Sequence, residues 1–198
     1  MSRTTLAVAP KRQRGRLRVD AILKAGARLF SESGFDGTTM TEIAAQSGTA
    51  IGSLYRFFPT KESLAEALIL HYGEQLFDGF DRIALRCAEL SGEQLADALV
   101  DLMLDLRQDR SAAVALLDAQ KDASGRRAAL RGGTIDRIGA ILRTHNPRLS
   151  GEASAAMALV LLQILKSVPV LASEQGGQSA LLIAEVRRMV GLYVSALR

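Results

Sequence analysis

The sequence predicts an all-α protein, a small N-terminal helical domain followed by a larger helical body. Three observations carry this reading. The 198 residues are 48% hydrophobic, enough for a real core. Leucine and alanine fill long stretches with few β-branched runs, and proline occurs only four times. Apolar residues return at intervals of three and four, with Gly- or Pro-containing breaks between most periodic stretches.

Charge divides the chain. Residues 1–61 hold ten Lys/Arg against four Asp/Glu, a balance of +6, whereas residues 62–198 hold 15 against 17, a balance of −2. A basic head on a near-neutral body suits a polyanionic partner for the head; a solubilising tail would give the same pattern. The lone Cys87 excludes an intrachain disulfide framework and fits a reducing cytoplasm. The N-terminus has no continuous apolar core, so no secretory signal is expected. Ala153 to Ala172 is almost long enough to span a bilayer, but Gln163, Lys166 and Pro169 interrupt it. A helix buried on most sides by protein is the expectation, with no membrane partner.

Residues 1–15 read as a flexible basic arm carrying Arg3, Lys11, Arg12 and Arg14. A first helix is expected from about Arg16 to Glu32, with Val19, Ile22, Leu23, Gly26 and Phe30 as its apolar stripe and Gly34 as a left-handed cap. Phe35 should fold back onto the same core. Thr39-Met40-Thr41-Glu42 is a capping-box pattern that opens a second helix, and Gly48 closes it. A third helix starts within Thr49 to Ile51, carries Leu54, Tyr55 and Phe58, and ends before Pro59. Ala44 is small where two helices cross, and Leu54 fills the space between them: helix-turn-helix geometry over about residues 39–58. Thr60 caps a fourth helix through Leu64, Leu68, His71 and Gln75, which leaves the small domain without a linker and can transmit motion. Further helices are expected near 92–108, 111–122, 125–144, 151–173 and 178–197.

Phe30, Gly34-Phe35, Thr38-Thr39, Ile43-Ala44, Gly48, Gly52-Ser53-Leu54-Tyr55, Phe58-Pro59 and Lys61 together resemble the tetracycline-repressor (TetR) family of bacterial transcription regulators. The resemblance covers about residues 16–76; residues 77–198 match in length and helical character. It implies a homodimer on a palindromic double-stranded DNA operator, a helical effector-binding and dimerisation domain over residues 77–198, and release of DNA when a small molecule binds. Matching positions imply phosphate contacts from Thr39, Tyr55 and Lys61. Base reading should fall to Thr41 and to the start of the third helix, with Thr49, Ala50, Ile51, Gly52, Ser53 and Arg56 in the interface. Arg56 can grip a guanine bidentately or hold a phosphate. Arg14 and Arg16 can enter a minor groove or simply attract phosphates. Ala50, often serine in the family, removes a cap; Ile51, often polar or basic, can pack on a thymine methyl; Phe57, often histidine or tyrosine, cannot donate to phosphate.

In the body, Ala156, Met157, Val160 and Ile164 form one apolar stripe, and Leu182, Val186, Met189 and Tyr193 another. Paired with a second copy they would make a four-helix dimer interface; an ordinary intrachain core is the alternative. His71, Tyr72, Gln75, Gln120 and Lys166 are the polar candidates for a ligand pocket. His71 and His145 lack metal-ligand spacing, and no catalytic or dinucleotide motif stands out, so neither enzyme activity, a metal nor a cofactor is expected. Two rival readings remain: a DNA-binding regulator controlled by a protein partner or acting as an activator, and an enzyme or carrier with a vestigial head.

Overall fold

The computed structural model describes residues 11–120, 123–174 and 177–196. Among these, nine helices follow one another: α1 (Lys11–Ser33), α2 (Met40–Gln46), α3 (Ile51–Phe57), α4 (Lys61–Ala84), α5 (Gly92–Asp105), α6 (Arg107–Ala119), α7 (Ser124–His145), α8 (Gly151–Ala172) and α9 (Ser179–Ser195). No strand occurs among the described residues, so the all-α expectation holds.

The chain separates into two compact units. The first holds residues up to Leu70 together with Ser111–Ala119; the second holds His71–Arg110 and Gln120 onward. The sequence reading put its boundary after residue 76. Spatial clustering, which local periodicity does not encode, assigns most of α6 to the first unit.

In the first unit, Ile22, Phe30, Ile43, Leu54 and Leu64 are completely buried. Phe35 stacks on Phe30 with ring centroids 5.9 Å apart, as its position after the helix suggested. The chain reverses at Gly34 (φ 70°) and Gly48 (φ 62°), backbone conformations that a side chain would strain. Between them Thr38 is buried, and its hydroxyl donates to the carbonyls of Gly34 and Leu29 at 2.8 and 3.2 Å. Helix α1 begins at Lys11, about five residues earlier than its apolar stripe predicts. Lys, Arg, Gln and Leu are good helix formers, so the helix extends past the point where burial ends. Arg14 and Arg16 therefore lie exposed on α1 rather than on an unstructured arm; Met1 to Pro10 lie outside the described residues.

In the second unit, α5 packs on α9 and α7 on α8. Leu95, Leu99, Ile138, Leu161, Val168, Val190 and Val194 are among its buried residues. At Gly92 an added Cβ would lie 2.0 Å from the Ser195 hydroxyl, so α5 and α9 cross closely there. Arg187 on α9 bridges Asp97 and Asp101 on α5. Helix α8 continues through Pro169 to Ala172, although proline removes a backbone donor. Only 33% of its most apolar window is buried, so the expectation of burial on most sides is corrected. By length and composition this one helix could cross a membrane.

Candidate nucleic-acid interface

The capping box read from the sequence is present at α2. The Thr39 hydroxyl accepts the Glu42 amide at 3.2 Å, and the Glu42 carboxylate accepts the Thr39 amide at 2.9 Å. The same carboxylate takes the Thr39 hydroxyl proton at 2.7 Å. These bonds hold Glu42 ionised below the ordinary carboxylate range, the side-chain bond from Thr39 contributing most. The proton that a phosphate contact from Thr39 would use is thus given to Glu42.

Helix α3 starts at Ile51 after Ala50, which provides no side-chain cap, in keeping with the missing serine. Leu54 points into the core with 0% exposure. The other face is open: Ile51 is 41% exposed and Tyr55 46%, with Gly52 and Arg56 also exposed. Tyr55 is therefore not a core aromatic, and Ile51 is not a core residue. No atom would meet a Cβ added at Gly52 within 4 Å, so packing inside the chain does not demand glycine there. Arg56 reaches over the Phe57 ring, 5.4 Å from its centroid. Ser53 receives the Arg18 guanidinium at 3.4 Å. Arg18 is a cation beside α3 that the sequence reading missed; only its four-residue interval from Arg14 could have indicated it.

Two of the candidate contacts are engaged within the chain. Thr49 was a candidate base reader, yet it is 7% exposed and its amide donates to the Ala44 carbonyl at 2.9 Å. The turn after Gly48 points its side chain inward. Lys61 was a candidate phosphate anchor, yet its ammonium donates to the carbonyls of Phe35 (2.7 Å) and Thr38 (3.0 Å). It also lies 4.3 Å from the Phe35 ring centroid. Lys61 ties the start of α4 to the α1–α2 connection, with two of its three N–H groups committed. Thr41 is exposed at the start of α2.

The pocket candidates all fall in the second unit. His71 and Gln75 are half-buried and bond one another at 3.0 Å. Gln120 accepts from Arg126 at 2.8 Å. Tyr72 is buried, whereas Lys166 is half-buried on α8. The two expected interface stripes also divide. Met157 and Val186 are buried within the single chain, 7% and 6% exposed, because they face the intrachain core. Ile164, Leu182 and Tyr193 are half-buried, and Ala156, Val160 and Met189 are exposed, beside Leu159, Val170, Leu181 and Leu192. An open apolar groove of about 680 Å³ lies along α9, lined by Leu171, Leu182, Val186, Met189, Leu192 and Tyr193 with Glu185 and Arg188. Cys87 is buried at 0% exposure, and burial pushes its thiol up.

Residues 22–68 match the model of bacterial regulatory proteins of the tetR family, and residues 93–193 match that of tetracyclin repressor-like C-terminal domains. Among curated proteins, the HTH-type transcriptional repressor KstR2 of Rhodococcus jostii is 30% identical over 95 residues, 48% of this chain and 46% of that protein. The chain spans under half the length of the curated relatives it matches. A TetR transcriptional regulator from Legionella pneumophila shares the fold with a TM-score of 0.70, at 17% identity over 95% of this chain and 99% of that one. A SmeT–triclosan complex shares it with a TM-score of 0.61, at 18% identity over 90% and 88%.

Proposed function

Because the chain belongs to the tetR family of bacterial regulatory proteins, we propose that it is a cytoplasmic, homodimeric DNA-binding transcription regulator, a repressor that a small molecule releases from a palindromic operator. The carrying observation is the open face of α3. Ile51, Gly52, Tyr55 and Arg56 are exposed over a completely buried Leu54. A helix fixed by its inner face and bare on its outer one suits insertion into a major groove. Tyr55 holds a phosphate, Ile51 and Thr41 meet bases, and Arg56 takes either role; Arg14, Arg16 and Arg18 add cations along α1. Lys61 and Thr39 contribute by holding the connection that leads into α2.

The dimer would use the exposed apolar face of α8 and α9, including Ala156, Val160, Met189 and Leu192. Two copies would then set two α3 helices about one turn of DNA apart. The small-molecule step draws on SmeT, a protein of the same fold that forms a complex with triclosan. Helix α4 runs unbroken from Lys61 to Ala84 and would carry the effect of a ligand. A coupling of about 1–3 kcal/mol changes DNA affinity about 5–150-fold.

The test is binding to palindromes drawn from the DNA flanking the gene, followed across a salt series. A preferred palindrome and an affinity that falls steeply with salt are expected. A flat salt response, or no preferred palindrome, refutes the operator reading.

A further inference from the structure

A cleft of about 510 Å³ opens in the second unit between the end of α4 and the middle of α5, and it shares no lining residue with the groove along α9. Buried Gly79, Ile83 and Leu102, with half-buried Ala98, make an apolar base. The two helices touch at Gly79, where a Cβ would collide with the Leu102 side chain.

The margins are charged, with opposite signs on the two sides. Arg82 on α4 and Arg86 just past its end lie four residues apart, as do Asp101 and Asp105 on α5, a spacing that sets each pair on one helix face. All four side chains are exposed. Asp101 holds Arg187, whereas Arg82, Arg86 and Asp105 make no ion pair among the described residues. The two rows therefore border one cleft without bridging it. Leu85, between the two arginines in sequence, also lines the cleft. At 88% exposure it is the most exposed large hydrophobic side chain among the described residues.

A surface with opposite charge rows on its two sides is its own complement under a two-fold axis, because the α4 row of one copy meets the α5 row of the other and the reverse. The exposed leucine and the apolar base complement one another in the same way. A partner of one charge sign would gain from one row and be repelled by the other. We propose that this cleft pairs with the same cleft of a second copy, Leu85 of each entering the apolar base of the other while Arg82 and Arg86 face Asp101 and Asp105. The pairing does not depend on the α8–α9 dimer; together with it, two dimers join into a tetramer. Exposed charge pairs fix orientation more than they add affinity, so the contact is weak and salt-sensitive.

Sedimentation equilibrium of the full-length protein, carried up to about 0.3 mM, tests the pairing. Dimers should pass into tetramers, and the association should weaken about tenfold between about 0.1 and 0.5 M salt. Leu85→Asp should weaken it about a hundredfold, because each contact loses two seated leucines. Arg82→Glu with Arg86→Glu, and separately Asp105→Arg, should each weaken it about tenfold by setting like charges face to face. These positions are exposed, so the variants should melt as the parent does. Mixed together, the two charge variants should associate better than either alone, since the glutamates of one then meet the new arginine of the other. A mixture no better than its components overturns the proposal. So does a wild type that stays dimeric throughout and keeps that dimer in Leu85→Asp. The variant Met189→Asp with Leu192→Asp separates the two contacts: its monomers should still pair at high concentration, and Leu85→Asp should abolish that pairing. If the wild type forms only dimers and Leu85→Asp alone splits them, the cleft contact stands and the α8–α9 dimer falls.

Discussion

The two units tie separate segments together with different polar groups. In the first, polar side chains bond one another and backbone carbonyls: Thr38 with two carbonyls, Thr39 with Glu42, and Lys61 with the carbonyls of Phe35 and Thr38. Its exposed groups on α3 face outward. In the second unit, ion pairs join helices: Arg137 on α7 with Asp81 on α4, and Arg187 on α9 with Asp97 and Asp101 on α5. A surface that meets a polymer of constant shape works best when rigid and internally satisfied.

The largest expected effect tests the rigidity of the first unit. Leu54→Ala should destabilise it by about 2–5 kcal/mol, because the completely buried side chain leaves a cavity between α2 and α3. Denaturant unfolding measures the loss, and DNA binding should weaken with it. If stability is untouched, α3 is not held by its inner face.

Next comes the contrast between holding and contacting. Lys61→Met should cost about 1–3 kcal/mol of stability, since charge-assisted bonds to two carbonyls vanish. Because those bonds stay within the chain, the slope of log affinity against log salt should barely change. Arg56→Ala should instead lower that slope by about 0.9 with stability unchanged. A slope that falls equally in both variants would return Lys61 to the phosphate contacts.

The exposed face of the second unit gives a smaller effect on folding. Met189→Asp with Leu192→Asp should leave the chain folded, because both side chains are exposed. It should shift sedimentation from dimer to monomer and weaken operator binding. A dimer that survives would place the interface elsewhere.

The smallest effect lies in the capping box. Thr39→Ala should cost about 1 kcal/mol. Glu42 has its folded pKa lowered, so its contribution is complete above its unfolded pKa and is lost as pH falls through the folded one. Glu42→Gln keeps an acceptor for the Thr39 amide, so acid titration of stability should flatten in that variant.

Much of the first unit is legible in the sequence because its signals are local. Gly34 and Gly48 mark left-handed turns, Thr39 to Glu42 encodes a cap, and Pro59 closes α3. The bonds that the sequence did not show there are those made to another segment. Lys61 meets carbonyls 26 and 23 residues earlier, and Arg18 meets Ser53 at a separation of 35. Thr49 is buried for a local reason, since the turn after Gly48 decides which way its side chain points. In the second unit the helices were readable from their period, but their partners were not. Met157 and Val160 lie three residues apart in one stripe, yet one is buried and the other 46% exposed.

The sequence by itself determined the helical class, the capped turns, the basic head and the family, since each follows from residue type at short spacing. Tertiary structure decided which face of α8 and α9 stays open, that most of α6 clusters with the first unit, and that Lys61 holds the α1–α2 connection. These depend on side chains far apart in the chain. Helical period says that a face is apolar; only packing selects what covers it.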